Sequence, residues 1–345
     1  MSARIASITG SCRRLERGFS LIELLCSVAL SLLLLAGVVA MVSGSYTSYR
    51  SAERTTQLEE RGWRALDILS RDIRSAGFGG CTRNPRFVGS SLNNSDALPW
   101  AFLDGAIGGY QAQGERWRPE APRELIPAAA QGNDILVLRV PRRGADPLRL
   151  RADMASPEDD IKVHPAETGL QAHEIGLIYD CEARVYFQAT STSNGVIRHD
   201  ASGPQTPGNA SDSLGYPFRA GAEIIPVHTV IYFVRRDSPK NDAKALWRKV
   251  GANAPEKLIE GVEQMQLQFG VDASGDGVID HYATAEAVAD WQRVYSVNVA
   301  ILVASNDTEE SSARSFELLD EVVRAQDNRM RRVFSTTTSL RNPAT

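Results

Sequence analysis

The sequence predicts an α+β fold, in which one long N-terminal helix packs on an antiparallel β-sheet domain. Three observations support this prediction. A dense apolar block, Leu24 to Val42, lies inside a proline-free stretch that runs from Met1 to Asn84 and becomes amphipathic beyond Tyr46. Apolar and polar residues alternate in several later runs, as a half-buried antiparallel sheet requires. Segments rich in Pro and Gly separate those runs, as expected for loops.

The apolar block is long enough to cross a membrane. A spanning helix needs about 20 apolar residues, whereas the core of a secretory signal peptide has about 7–15. The preceding residues 1–18 contain four arginines and one glutamate. Because positively charged flanks stay in the cytoplasm, we expect a single span with residues 1–18 inside and everything after Tyr46 outside.

The helix is predicted to continue beyond the span. Six apolar residues recur at helical spacing between charged ones: Leu58, Ala65, Leu66, Leu69, Ile73 and Ala76. The sequence GFGG at 77–80 supplies a stop signal. The predicted domains are therefore a basic leader at 1–18, a transmembrane half-helix at 19–45, an amphipathic half-helix at 46–79 and an extracytoplasmic β-rich domain at 80–345, with an irregular region at 81–130.

Eight runs in the β-rich domain are predicted as strands. They are Asp134–Val140, Gly176–Asp180, Arg184–Gln188, Val227–Arg235, Ala245–Val250, Leu258–Gly270, Val294–Ala304 and Arg331–Ser339.

Composition argues against two classes of function. Without the basic leader, whose net charge is +3, the net charge of −4 becomes −7, so no broad basic surface is available for nucleic acid. The five histidines form no HExxH motif and no other close ligand pair: His164, His173, His199, His228 and His281. Nucleophile-elbow and phosphate-loop motifs are also missing from the sequence. We therefore expect neither direct nucleic-acid binding nor enzymatic activity.

Two of the four cysteines, Cys81 and Cys181, lie in the β-rich domain, while Cys12 and Cys26 lie in the leader and the apolar block. A pair of cysteines held outside the cytoplasm favours a disulfide. The alternative is two buried free thiols, which behave as small apolar residues.

A single acid interrupts the start of the apolar segment. Glu23 follows Leu21 and Ile22, and a carboxylate near hydrocarbon costs up to about 2.5–3.5 kcal/mol on insertion scales. Either Glu23 reaches to the membrane interface, or it needs a cationic partner. Cleavage between Gly18 and Phe19 would create an α-amino group four residues before Glu23, and that amine would be such a partner.

The segment RGFSLIELLCSVALSLLLLAG, Arg17–Gly37, resembles the class III signal of type IV pilins and type II secretion pseudopilins. That resemblance implies cleavage after Gly18 by a prepilin peptidase and N-methylation of Phe19. It also implies that Glu23 pairs with the Phe19 amine of a neighbouring subunit during assembly. The expected location is the bacterial inner membrane, and later the periplasm or the pilus fibre or tip.

Four further segments are similar to the PilW group of minor pilins: Arg71–Cys81, Asp180–Cys181, Gly270–Asp280 and Arg331–Asn342. The ending also resembles J-type pseudopilins. This resemblance favours a Cys81–Cys181 bridge and implies a minor pilin that incorporates into, primes or caps a type IV pilus. Its partners would be other minor and major pilins. The alternatives are a type II secretion pseudopilin at the pseudopilus tip and an adhesive tip subunit.

The sequence DASGDGVID at 272–280 has the spacing of part of a calcium loop. Its potential ligands are Asp272, Ser274, Asp276, Val278 through its carbonyl, and Asp280. The glutamate expected at position 12 is replaced by Ala283. Since Asp, Ser and Gly are also turn residues, a β-hairpin turn is the alternative. Calcium is the one cofactor that the sequence suggests, and its role would be to stiffen a loop.

Overall fold

The computed structural model describes residues 20–79, 86–93, 106–121, 129–165, 169–201, 207–237, 243–308, 314–325 and 327–341. The chain divides into two compact units, Met1–Thr56 and Gln57–Thr345. The helix α1, Leu21–Ser75, contributes residues to both units. Its uninterrupted 55 residues agree with the absence of proline before position 85.

In the first unit, α1 exposes an apolar surface. All side chains from Leu21 to Val42 are exposed, and most of them are apolar. By length and composition this helix is able to cross a membrane. The hydroxyls of Ser27 and Ser31 donate hydrogen bonds of 2.9 and 2.7 Å to the carbonyls of Leu24 and Ser27, so neither needs water as a partner.

In the second unit, α1 ends where glycine permits a change of direction. Gly77 has a φ of 67°, in the left-handed region that favours glycine at helix ends. Its amide donates to the carbonyl of Arg139 at 3.1 Å. The helix therefore stops at Ser75, just before the predicted GFGG signal.

The described residues form nineteen strands. The first ten are β1 (Phe87–Ser90), β2 (Ile107–Gln113), β3 (Arg116–Arg118), β4 (Ile135–Pro141), β5 (Leu148–Leu150), β6 (Ile161–His164), β7 (Ile175–Tyr179), β8 (Ala183–Gln188), β9 (Ser191–Ser193) and β10 (Val196–Arg198). The others are β11 (Glu223–Arg236), β12 (Lys244–Val250), β13 (Glu256–Glu260), β14 (Val262–Val271), β15 (His281–Ala283), β16 (Val294–Thr308), β17 (Arg314–Leu318), β18 (Glu321–Ala325) and β19 (Arg329–Ser339). A 3-10 turn, Trp291–Arg293, precedes β16.

These strands make three sheets. The largest contains β1 to β13 and is organised around β11, which pairs with β4, β5, β7 and β12. A second sheet has the order β15-β14-β16-β19, and β17 pairs with β18 in a separate hairpin. The described pairings are antiparallel except for β1 with β8, which is parallel.

The main core lies among the second half of α1, the large sheet and the four-stranded sheet. The helix contributes the face that begins at Leu58, β11 contributes Tyr232, and the four-stranded sheet contributes Phe269 and Phe334, all of which are buried. A second core around Phe187 fills the part of the large sheet built from β5 to β10. All six apolar positions predicted for the amphipathic half, from Leu58 to Ala76, are buried. A long N-terminal helix is followed by a β-sheet domain, so the α+β prediction is confirmed.

The structure contains strands that the sequence did not predict, and it divides one predicted run. The run Leu258–Gly270 is divided by Gly261, whose φ of 81° turns the chain between β13 and β14. The region 81–130, predicted to be irregular, contains β1, β2 and β3 in its described parts. Glycine and isolated polar residues conceal the alternation of β2, whose sequence is IGGYQAQ.

Candidate functional site

Glu23 lies on the first turn of α1, on an otherwise apolar surface. The amides of Glu23 and Leu24 donate to the carbonyl of Ser20 at 3.0 and 3.1 Å, which starts the helix. The flanking Leu21 and Ile22 are 77% and 69% exposed. An acid at a helix N-terminus is favoured by the helix dipole. Near hydrocarbon, however, its charge is costly unless the side chain reaches the membrane interface or has a cationic partner.

Gly18 and Phe19, the predicted cleavage and methylation site, lie outside the described residues. Cleavage, methylation and the pairing of Glu23 with the new amine therefore stay predictions. Between Leu21 and Tyr49, Glu23 is the only charged residue of the sequence. No second acid on this segment competes with it for a cationic partner.

The second half of α1 is tied to the large sheet by a buried carboxylate. Asp72 is 3% exposed and accepts hydrogen bonds from the Tyr232 hydroxyl and the Arg143 guanidinium. Burial, together with the charge of Asp72, raises the pKa of Tyr232 well above its ordinary value. The Tyr232 phenol therefore remains a proton donor to Asp72 at any physiological pH.

The helix also lies very close to the four-stranded sheet. A Cβ atom at Gly62 would be 2.4 Å from ring atoms of Phe334, so that only glycine allows this approach. The Trp63 ring meets Phe334 edge to face, with centroids 5.7 Å apart. Further along, the Thr338 hydroxyl donates to the Ser70 hydroxyl at 3.0 Å. Through these contacts, the last strand β19 holds the helix in place.

An ion-pair network fixes the start of β19. Glu263 of β14 pairs with Arg331 at 2.6 Å, and their side chains are 12% and 6% exposed. Arg329 also pairs with Glu263, and both arginines contact Asp327. The hydrogen bond from Arg331 holds the pKa of Asp327 below its usual value. The network joins β14 to β19, the strand against which α1 docks.

Two family models match the chain. The prokaryotic N-terminal methylation motif matches residues 13–39. The model of type IV pilus-assembly protein W, PilW, matches residues 231–342. The two matches support a PilW-type minor pilin. No curated protein and no solved structure matches the chain.

The two matches cover the main features described above. The methylation motif includes the predicted cleavage site and Glu23, while the PilW match includes Tyr232, Glu263 and Phe334. The matches point to a structural, non-enzymatic protein that is anchored in a membrane and interacts with other pilins and the pilus machinery. A prepilin peptidase is the processing enzyme suggested by the methylation motif.

One of the two predicted bridge cysteines lies within the described residues. Cys181 lies in the exposed turn between β7 and β8, and Cys81 lies outside the described residues. Shortly before Cys81, the ring of Phe78 meets that of Tyr179 edge to face, with centroids 5.5 Å apart. This contact brings the chain that leads to Cys81 towards the turn that carries Cys181. The Cys81–Cys181 bridge itself stays a prediction.

The loop after β14 turns its first acid inward. Asp272 is 1% exposed and accepts hydrogen bonds from the amides of Gly275 and Gly277 at 2.6 and 2.8 Å, and from the Ser274 hydroxyl at 3.2 Å. Burial alone would raise the pKa of Asp272, but these hydrogen bonds outweigh it and hold the pKa below its usual value. Asp272 therefore shapes the turn as a carboxylate.

The other acids of this loop are also hydrogen-bonded to backbone amides. Asp276 accepts from Val278 at 2.8 Å, and Asp280 accepts from Ser274 at 2.9 Å. Within the described ranges, no group of three or more His, Cys, Asp or Glu side chains is placed to hold a metal ion. The geometry favours the hairpin-turn alternative, and calcium binding stays a prediction.

Two adjacent polar residues, Asn133 and Asp134, connect the large sheet to the four-stranded sheet, and the sequence did not predict this role. Asp134 is 2% exposed and accepts hydrogen bonds from the amides of Ala112 on β2 and Leu267 on β14, both at 2.8 Å. The adjacent Asn133 accepts from the amide of Met265 at 2.9 Å. The available signal was an Asn-Asp pair at the start of the predicted strand Asp134–Val140.

Proposed function

We propose that this chain is a minor pilin that incorporates into a type IV pilus, or primes or caps it, through helix packing and contacts of its β-rich unit. The observation that carries the proposal is the division of α1. The first half exposes apolar side chains and a single acid, Glu23. The second half packs on the large sheet and the four-stranded sheet. A helix of this kind stabilises a filament by burying its apolar half against the helices of other subunits.

The proposed assembly step depends on Glu23. After cleavage behind Gly18, the Phe19 amine of one subunit would neutralise Glu23 of its neighbour. A charge buried without a partner is costly, whereas a paired one is tolerated. A subunit that is displaced by one helical turn would lose the pair, so the pair would set the register between adjacent helices.

The proposed topology places the leader in the cytoplasm and the β-rich unit outside the inner membrane. Its basis is the four arginines before the span. With this orientation the pilin would enter the filament from the membrane with its β-rich unit leading.

The decisive experiment compares Glu23→Ala and Glu23→Gln with Glu53→Ala, a matched control for an exposed acid on the same helix outside the apolar run. We expect both Glu23 variants to be processed at Gly18 and to reach the membrane at the wild-type level. Their recovery in sheared pili should fall at least about tenfold, which corresponds to the loss of about 1.4 kcal/mol. Normal recovery of Glu23→Ala in pili would refute the pairing mechanism.

The runner-up function, a type II secretion pseudopilin, uses the same helix and leader. The PilW match favours the pilus. A strain without this chain should therefore lose pili or pilus-driven motility while protein secretion continues. The opposite result would assign the chain to a secretion system.

A further inference from the structure

A compact group of side chains follows the apolar run of α1 within the first unit. Tyr46 and Tyr49 are 56% and 68% exposed, and Arg50 is exposed as well. Residues three and four apart lie on the same face of a helix. Tyr46, Tyr49 and Arg50 therefore form one surface, called here the aromatic belt.

The charged group of the aromatic belt, the guanidinium of Arg50, lies against the ring of Tyr46. The Cζ atom of Arg50 is 4.8 Å from the centroid of the Tyr46 ring. Helical side chains tilt towards the N-terminus, so Arg50 reaches back along α1 towards the apolar segment. The guanidinium is thus held at the level of Tyr46, one turn closer to the span than its own Cα atom.

The spacing along α1 matches a bilayer. From Glu23 to Tyr46 the helix rises about 34 Å, at about 1.5 Å per residue. The hydrocarbon core of a membrane is about 30 Å thick, and about 40–45 Å with the headgroups. When Glu23 is at one boundary of the hydrocarbon, Tyr46 is at the other, and its ring and hydroxyl suit that boundary.

We propose that the aromatic belt binds the phosphate groups of phospholipid headgroups and sets the depth of α1 in the membrane before assembly. A guanidinium donates paired hydrogen bonds to phosphate, and tyrosine hydroxyls add further donors. The proposal rests on the proposed function, because it requires that α1 spans a bilayer. It is independent of which side of that bilayer the β-rich unit occupies.

Depth-dependent fluorescence quenching tests the proposal on the full-length chain in phosphatidylcholine–phosphatidylglycerol vesicles. The vesicles carry bromine at shallow, middle or deep positions of the acyl chain. Three variants are compared: Tyr46→Trp in the belt, Leu33→Trp in the middle of the span and Thr56→Trp beyond it. The chain contains five native tryptophans, so the signal of the wild-type protein in the same vesicles is subtracted.

We expect Tyr46→Trp to be quenched at least twofold more by shallow than by deep bromine. Leu33→Trp should show the reverse order, and Thr56→Trp should show no quenching. The proposal is contradicted if the quenching of Tyr46→Trp depends on bromine depth in the same way as that of Leu33→Trp or of Thr56→Trp. If deep bromine does not quench Leu33→Trp, α1 does not span the bilayer. That result would contradict both the proposed function and the role of the aromatic belt.

A second comparison tests the phosphate contact. In the Tyr46→Trp background, Arg50→Gln should lower the ratio of shallow to deep quenching at least twofold, whereas Arg50→Lys should largely keep it. Arg64→Gln, an exposed arginine in the second unit, is the matched control and should leave the ratio unchanged. An unchanged ratio in Arg50→Gln would show that the depth of α1 does not depend on phosphate binding.

Discussion

The hydroxyl of Tyr232 donates a hydrogen bond to the carboxylate of Asp72, which is 160 residues away in the sequence. Tyr232 is fully buried at the centre of the large sheet, and Asp72 is buried on the last turns of α1. The contact therefore couples the last turns of α1 to the large sheet.

Removal of the Tyr232 hydroxyl should loosen this coupling. Tyr232→Phe keeps the ring but leaves one oxygen of Asp72 without its buried donor, which costs about 1–3 kcal/mol. Thermal or denaturant unfolding of the detergent-solubilised chain measures the change. Tyr49→Phe, at a residue that is 68% exposed, is the control and should have little effect. Equal stability of the two variants would show that the hydrogen bond between Tyr232 and Asp72 does not stabilise the docking of α1.

A methyl group at Gly62 should push α1 away from β19. Overpacking a close contact costs about 1–3 kcal/mol, which exceeds the helix-propensity gain of about 1 kcal/mol for Gly→Ala. Gly62→Ala should therefore unfold at a lower temperature than the wild type. Gly44→Ala is a matched control, since nothing lies within 4 Å of a Cβ atom at that position. Combining Gly62→Ala with Phe334→Leu should restore part of the loss, and a neutral Gly62→Ala would disprove the close approach.

Neutralising Glu263 should destabilise the start of β19. Glu263→Gln removes one carboxylate from Arg331, which is 6% exposed and keeps Asp327 as a partner. The loss of this buried hydrogen-bond partner should cost about 1–3 kcal/mol. The comparison is Glu256→Gln at a side chain that is 52% exposed, where a change within about 0.5 kcal/mol is expected. Chemical unfolding curves distinguish the two variants. A loss as small as that of Glu256→Gln would mean that solvent screens the network.

Asp134 should make the stability depend on pH. Burial raises the pKa of Asp134 to about 7, although hydrogen bonds from Ala112 and Leu267 lower it. A carboxyl whose pKa is higher in the folded state contributes stability below its unfolded pKa. That contribution is lost as the pH rises through about 7.

The wild-type chain should therefore lose up to about 1.4 kcal/mol per pH unit through Asp134 between pH 4 and 7. In Asp134→Asn this part of the slope should disappear, whatever the absolute stability of the variant. Asp67→Asn, an exposed acid on α1, is the control and should keep the wild-type slope. Unfolding measured across this pH range provides the test, and an unchanged slope in Asp134→Asn would contradict the assignment.

The predicted Cys81–Cys181 bridge should be visible by mass spectrometry. Digestion without reductant should yield one peptide that contains both cysteines, and Cys181→Ser should abolish it. Loss of a disulfide that closes a long loop costs about 2–4 kcal/mol. Cys26→Ser is the control, because Cys26 is a free, exposed thiol of α1. Unlinked peptides from the oxidised protein would refute the bridge.

Local sequence patterns predicted the elements whose period extends over many residues. The helix, its division into an apolar and an amphipathic half, and the isolated position of Glu23 all followed from residues that are neighbours in the chain. Seven of the eight predicted runs each overlap one strand, because each alternates or is continuously apolar, and the run Leu258–Gly270 is divided between β13 and β14. Short strands such as β5, β9 and β10 contain three residues each, too few for a period to be recognised.

The sequence by itself therefore determined a helix long and apolar enough to span a membrane, with a single acid near its start, followed by a β-rich unit. Only the tertiary structure decided which distant residues meet: Asp72 with Tyr232, Gly62 with Phe334, and Asp134 with the amides of two strands. The physical reason is that helical and strand periods fix which face a residue occupies. The partner on the opposite face is fixed by sheet register and packing, which involve residues far apart in the chain.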